Sequence, residues 1–238
     1  MLENHDLQNL MVLDIETVPQ YATHDELPEH MQKLWDAKTQ YQRKEETSQS
    51  FYERAGIWAE FGKIICISVG VFTKGVPTGF RVKSYAGHDE RELLVKFALM
   101  LKTQPANLVL CAHNGKEFDF PYICRRMLIH GIKLPAQLQI AGKKPWEVYH
   151  IDTMELWKFG DYKSYTSLSL LTAIFNIPTP KDDIDGSQVA HVYWNEDQLE
   201  RICTYCQKDV VATAQLLRRF RGQDLIPDDN ITIVAPDA

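Results

Sequence analysis

The sequence predicts an α/β fold in which a mixed sheet, an antiparallel meander joined to parallel strands, is flanked by helices. Three observations predict it. Short apolar runs rich in Ile, Val and Leu alternate with longer segments whose apolar residues recur at helical spacing. Two of the runs are separated only by Lys74-Gly75-Val76-Pro77-Thr78-Gly79, a turn that makes them a hairpin. The other runs are each followed by a helical pattern, as mixed sheets require. With 238 residues, 45% of them hydrophobic, and no Ser/Gly-rich linker or repeat, the chain is expected to form one elaborated domain over residues 1–238.

The first strand is the apolar run Leu10-Met11-Val12-Leu13, ending in Asp14-Ile15-Glu16. Residues two apart in a strand share a face, so these carboxylates would sit side by side at the end of a buried strand. From about residue 21 to 61 the chain is polar and helix-rich, with Met31, Leu34 and Trp35 at helical spacing and Gly56 and Gly62 near its end; it reads as an insertion. Lys63 to Thr73 and Phe80 to Tyr85 are the hairpin strands. Asp89 can cap the next helix, whose apolar face holds Leu93, Leu94, Phe97 and Leu101. Asn107 to Ala112 is a short buried strand, followed by a helix from about Phe118 to His130 that stops near Gly131. A weaker strand passes through Val148-Tyr149-His150-Ile151. Two helices close the core, one over about 167–175 and one from about Glu196 to Phe220, the latter with Asn195 as cap and Gly222 after its end. Strand, hairpin, helix, strand, helix, strand, helix is the order of an RNase H-like fold.

A net charge of -6 speaks against a non-specific phosphate binder, yet bound cations would reverse the local field in a metal-dependent nuclease. The N-terminus lacks a basic targeting region and the longest apolar stretch, near Ile64 to Phe72, is too short to span a bilayer, so no membrane contact and a cytoplasmic setting are expected. The five cysteines, Cys66, Cys111, Cys124, Cys203 and Cys206, fall mostly in apolar runs and read as buried free thiols.

Asp14 and Glu16 at that spacing would raise each other's pKa, and a hard cation such as Mg²⁺ or Mn²⁺ resolves the conflict. Asp-x-Glu is also a common sequence, so partners are needed. His113-Asn114-Gly115-Lys116-Glu117-Phe118-Asp119 places Asp119 in a first helical turn, where a carboxylate ordinarily complements the helix dipole. In the last helix Tyr205 and Asp209 are four apart and share a face, at the margin of a buried stripe of Ile202, Cys206, Val210, Thr213 and Leu217.

Asp14-x-Glu16, Asn114-x-x-x-Phe118-Asp119 and Tyr205-x-x-x-Asp209 resemble, in order and setting, the three exonuclease motifs of the DEDD superfamily of DnaQ-like 3′–5′ exonucleases, in its Tyr-containing branch. The likeness is to the predicted exonucleases related to the proofreading domain of family-B DNA polymerases, and spans about Leu10 to Phe220. Phe61-Gly62-Lys63-Ile64-Ile65-Cys66-Ile67, His150-Ile151-Asp152 and Lys181-Asp182-Asp183-Ile184-Asp185-Gly186-Ser187 add to it.

The resemblance implies two Mg²⁺ or Mn²⁺ ions on Asp14, Glu16, Asp119 and Asp209, with Asp14 bridging and Asp119 binding directly or through water. Tyr205 would orient the attacking water and support its deprotonation. Glu16 would accept the terminal 3′-OH, while the Thr17 backbone, Asn114 and Phe118 are candidates to position the last nucleotide; Phe118 reads equally well as core. The expected function is release of 5′-mononucleotides from the 3′ end of single-stranded nucleic acid, DNA favoured over RNA, with no polymerase domain in the chain. The alternatives are an RNA-trimming enzyme, which Tyr205 disfavours because RNA-processing members often carry His there, and a catalytically silent nucleic-acid-binding module.

Other features have plainer readings. Cys203-x-x-Cys206 has metal or redox spacing, but with no second pair nearby it reads as one core-facing helical turn. Asp152 reads first as a helix cap and second as a neighbour of the acidic cluster; His113 reads as a structural residue and Lys181 as a solvated lysine. Trp146 with Lys143-Lys144 suggests a basic aromatic edge for single strands.

Overall fold

The computed structural model describes residues 6–75, 78–161, 163, 165–178 and 184–235. The strands β1 (Leu10–Pro19), β2 (Gly62–Thr73), β3 (Gly79–Ala86), β4 (Val109–Ala112), β5 (Ile151–Asp152) and β6 (Ile231–Ile233) form one six-stranded sheet in the order β5-β4-β1-β2-β3-β6. β1, β2 and β3 are the antiparallel meander, and β4 and β5 join β1's free edge in parallel. This is the mixed, RNase H-like sheet that the sequence predicts.

The helices are α1 (Glu29–Thr39), α2 (Ser48–Phe51), α3 (Glu90–Lys102), α4 (Asp119–Ile129), α5 (Thr153–Lys158), α6 (Leu168–Ile174), α7 (Val189–Trp194) and α8 (Leu199–Phe220). Local chemistry sets several ends. The Asp89 carboxylate accepts the Glu92 N–H at 3.0 Å to start α3, and the Ser167 hydroxyl accepts the Leu170 N–H at 3.3 Å to start α6. Gly131, at φ +65°, turns the chain out of α4.

Strand alternation divides the core. The odd residues of β1, Met11, Leu13 and Ile15, pack with Leu94 and Phe97 of α3 and Ile123 and Met127 of α4. The even residues Leu10 and Val12 pack with Val210, Ala214 and Leu217 of α8. Asp14 and Glu16 continue that even row, so the sheet itself aims both at α8. Gly70 lets α8 close down: a Cβ there would stand 2.8 Å from Val210 Cγ1 and 2.2 Å from Phe80 Cζ.

Residues 21–61 fold onto the end of β1 around a small aromatic core, in which fully buried Trp35 meets Tyr52, Trp58 and Phe61 edge-on. Gly56 lies against β1, where a Cβ would stand 3.1 Å from Val18 Cα, and its carbonyl accepts the Tyr122 hydroxyl at 2.7 Å. A buried ion pair ties this segment to the sheet. Arg126 of α4 pairs with Glu90 of α3 and donates to the Ala59 carbonyl, while Glu90 also accepts the Ile64 N–H of β2.

Three expectations are corrected and one strand is added. β1 does not stop at Glu16 but runs on to Pro19, because β2 supplies partners past a register shift between Glu16 and Thr17. The strand expected over 148–151 is only Ile151–Asp152: the His150 ring accepts the Leu110 N–H that a strand partner would take. Asn195 does not cap the last helix; it ends α7, and α8 begins after Gln198. β6, beside β3, has no counterpart in the sequence reading, since Ile-Thr-Ile is too short to carry a pattern.

Candidate active site

Three elements bring the predicted acidic residues together. β1 presents Asp14 and Glu16 from the middle of the sheet. The first residue of α4 is Asp119, 4% exposed, close enough to β1 that the Ile15 N–H, like its own, lowers its pKa. From α8, Tyr205 and Asp209 reach the same place: Asp209, Glu16 and Asp14 all act on the ionisation of the Tyr205 phenol.

The electrostatics follow from burial and like charge. Desolvation, then the neighbouring Cys206 and the other carboxylates, raise Asp14 and Glu16 well above the ordinary carboxylate range. Burial first, with Asp152 and Asp209 adding, pushes Asp119 up to about 7 even though its backbone hydrogen bonds pull the other way. Burial and the same carboxylates push the Tyr205 phenol further up, so it stays a donor. The charges acting on Asp14 and Glu16 are all negative. The carboxylate oxygens of Asp14 and Glu16 suit a hard divalent cation; their ligand atoms and the Cys206 sulfur, a softer donor, lie within 4.8 Å of one another, a group that does not include Asp119 or Asp209.

Asp152 turns out to hold the loop that carries Asp119. Its carboxylate caps α5 by accepting the Met154 and Glu155 N–H groups, and it also accepts the N–H groups of Asn114 at 2.9 Å and Lys116 at 3.0 Å. Asn114 can make this turn because it adopts φ +62°. Among the described residues the buried Asn114 Oδ1 has no hydrogen-bond partner, which leaves an acceptor at the rim of the cluster. His113 is structural: its Nε2 donates to the Thr166 carbonyl and its Nδ1 accepts the Thr153 hydroxyl, each at 2.9 Å, and burial lowers its pKa.

Phe118 is half-buried at the core margin, with its ring 5.3 Å from that of Tyr122. The Thr17 side chain faces the Tyr122 hydroxyl, whose pKa it lowers. Trp146 with Lys143 and Lys144 lies before β5, where Tyr149 bonds the Ala106 carbonyl that precedes β4. That is the opposite end of the parallel strands from Asp119, so this basic aromatic edge does not line the acidic cluster. Lys181, Asp182 and Asp183 lie outside the described residues.

Sequence reasoning missed Cys206 as a neighbour of the cluster. Its thiol donates to Asp14 Oδ2 at 3.3 Å. The signal was present, since Cys206 stands one turn before Asp209 on the same helix, but a buried stripe explained it sufficiently.

Carboxylates from a strand, a helix start and a long closing helix thus gather on one face of this sheet. Residues 57–224 match the family described as predicted 3′–5′ exonuclease related to the exonuclease domain of PolB, and the chain belongs to that family. The match begins after Asp14 and Glu16; the pairing of β1 with β2 and β4 joins them to the matched segment. The chain is 25% identical over 148 residues to a DNA polymerase of Pyrococcus glycovorans, covering 56% of this chain and 18% of the relative. It is 23% identical over 147 residues to a DNA polymerase of Thermococcus hydrothermalis, covering 55% and 8%. The chain thus spans less than a fifth of these relatives' length. In fold it is similar to the family B DNA polymerase of Pyrobaculum calidifontis, with a TM-score of 0.52 and 16% identity over 89% of this chain and 24% of that one.

Proposed function

We propose that this protein is a divalent-cation-dependent 3′–5′ exonuclease that removes 5′-mononucleotides from the 3′ end of single-stranded DNA. The observation that carries the reading is the pair Asp14 and Glu16 side by side on β1, with ligand atoms within 4.8 Å of each other and with Asp119 and Asp209 close enough to act on both. In this reading residues 1–238 work as one exonuclease unit with an insertion over 21–61. Among the described residues no helix is long and apolar enough to cross a membrane, and the five cysteines are free, in keeping with a reducing, cytoplasmic setting.

Asp14, Glu16, Asp119 and Asp209 would hold two Mg²⁺ or Mn²⁺ ions, which supply positive charge to the scissile phosphate and a water made acidic enough to attack it. Tyr205, a neutral donor beside Asp209, orients that water. Glu16 accepts the terminal 3′-OH. The Thr17 backbone, the unpartnered Asn114 Oδ1 and the exposed side of Phe118 position the last nucleotide.

The test is degradation of 5′-labelled single-stranded DNA and RNA with Mg²⁺, Mn²⁺ or chelator, comparing wild type with Asp14→Ala and Asp209→Asn. Stepwise shortening of DNA from the 3′ end that chelator and both substitutions abolish is expected. Shortening that survives either would refute the reading; RNA shortened in preference to DNA would reassign the substrate, and DNA binding without shortening would make the chain a silent binding module.

A further inference from the structure

Three cysteines distant in sequence meet on the α8 face of the sheet. β2 directs Cys66 to the face that carries Asp14 and Glu16, because Cys66 is the direct cross-strand partner of Glu16. Its thiol sits close enough to those of Cys203 and Cys206 on α8 that both raise its pKa. The three differ in setting. Cys66 and Cys206 are buried, and Cys206 is engaged with Asp14. Cys203 is half-buried and lines a groove of about 660 Å³ between β3 and the start of α8, whose walls include Ser84, Ala86, His88, Gln198 and Arg201.

We propose that Cys203 is a modification site: a hydroperoxide entering this groove oxidises it, and Cys66 resolves the product into a Cys66–Cys203 disulfide that ties β2 to α8. The Cys203 sulfur attacks a peroxide oxygen, the O–O bond breaks, and a sulfenic acid forms with loss of water. The Cys66 sulfur then attacks the Cys203 sulfur, an S–S bond forms, and the sulfenic hydroxyl leaves as water with the Cys66 proton. Two thiols lose two hydrogens and two electrons, and one hydrogen peroxide becomes two waters.

Two properties support this wiring. Cys203 lines the groove whereas Cys66 is buried, so a peroxide reaches Cys203 first, and Cys66 and Ser84 lower its pKa against burial and the charge of Glu200. Cys66 comes from a different element, so its bond to Cys203 needs no distortion of a helix; Cys203 and Cys206 lie three apart within α8. The inference goes beyond the nuclease reading, and its readouts are on sulfur alone, so either can fail without the other.

The test treats the full chain with hydrogen peroxide, blocks remaining thiols by alkylation, and maps peptides by mass before and after dithiothreitol. Expected is a reductant-sensitive link between the peptides holding Cys66 and Cys203, with loss of two hydrogens. It should persist in Cys206→Ser and vanish in Cys203→Ser and Cys203→Ala. Cys66→Ser should leave a sulfenic acid on Cys203 that dimedone traps. Cys124, also half-buried but raised to about 11 by burial, is the internal standard, and Cys203 should react roughly tenfold faster or more. A Cys203–Cys206 link, labelling of Cys124 at the same rate, or no link in wild type would each overturn the proposal.

Discussion

Replacing Asp119 by Asn should stabilise the cation-free protein at alkaline pH and do little at acid pH. Asp119 titrates at about 7 in the fold against an ordinary value of 3.8. A raised pKa means that the folded state holds a proton that the unfolded chain has released. The associated stability is fully present below pH 3.8 and is lost as pH rises towards 7. At about 1.4 kcal/mol per pKa unit the whole loss is about 4 kcal/mol, and the part between pH 5 and pH 8 is about 3 kcal/mol. Asn keeps an oxygen near the Ile15 N–H but cannot ionise. The assay is urea unfolding of chelator-treated wild type and Asp119→Asn at both pH values. The stability gained by the variant should be about 3 kcal/mol larger at pH 8 than at pH 5. Millimolar Mg²⁺ should stabilise wild type at pH 8 and recover much of that difference, because a bound cation favours the ionised carboxylate that burial disfavours. A variant that is less stable than wild type at pH 8 without cation, or a difference that does not change with pH, would refute the account.

Three other outcomes are expected. Arg126→Met should cost about 3–5 kcal/mol in denaturant melting, since it leaves the buried Glu90 carboxylate with only His130 and the Ile64 N–H as partners; adding Glu90→Gln should return part of that loss. Asp152→Ala should cost about 1–3 kcal/mol and speed amide exchange at Asn114 and Lys116, whose N–H groups lose their acceptor; unchanged exchange there would show that the loop holds itself. Tyr205→Phe should lower the nuclease rate by roughly 10²-fold or more with unchanged melting, whereas an equal loss of stability would assign the phenol to the fold.

Much of this arrangement is legible in the chain. The apolar run before Asp14, the hairpin strands and the stripe from Ile202 to Leu217 have strong periodicity, and each forms the expected element because burial of that pattern dominates local preference. The misses come where the signal is short or shared. Ile151–Asp152 and Ile231–Ile233 make strands of two and three residues because a neighbouring strand edge is available. Asn195, a good cap by residue type, ends one helix instead of starting the next, since α7 intervenes.

By itself the sequence determined the strand-borne pair Asp14 and Glu16, the helix-start Asp119 and the Tyr205 and Asp209 face, because periods of 2 and 3.6 fix which side chains share a side. Only the tertiary structure decided how these sides meet. It seats Asp119 beside Ile15 and gives Asp152 the loop around Asn114 as well as its cap. It brings Cys66 to Cys203 and Cys206, a meeting that no spacing encodes. Periodicity acts within one element, whereas these contacts depend on the register of β1 with β2 and on the close approach of α8 at Gly70, which are set by packing across the whole core.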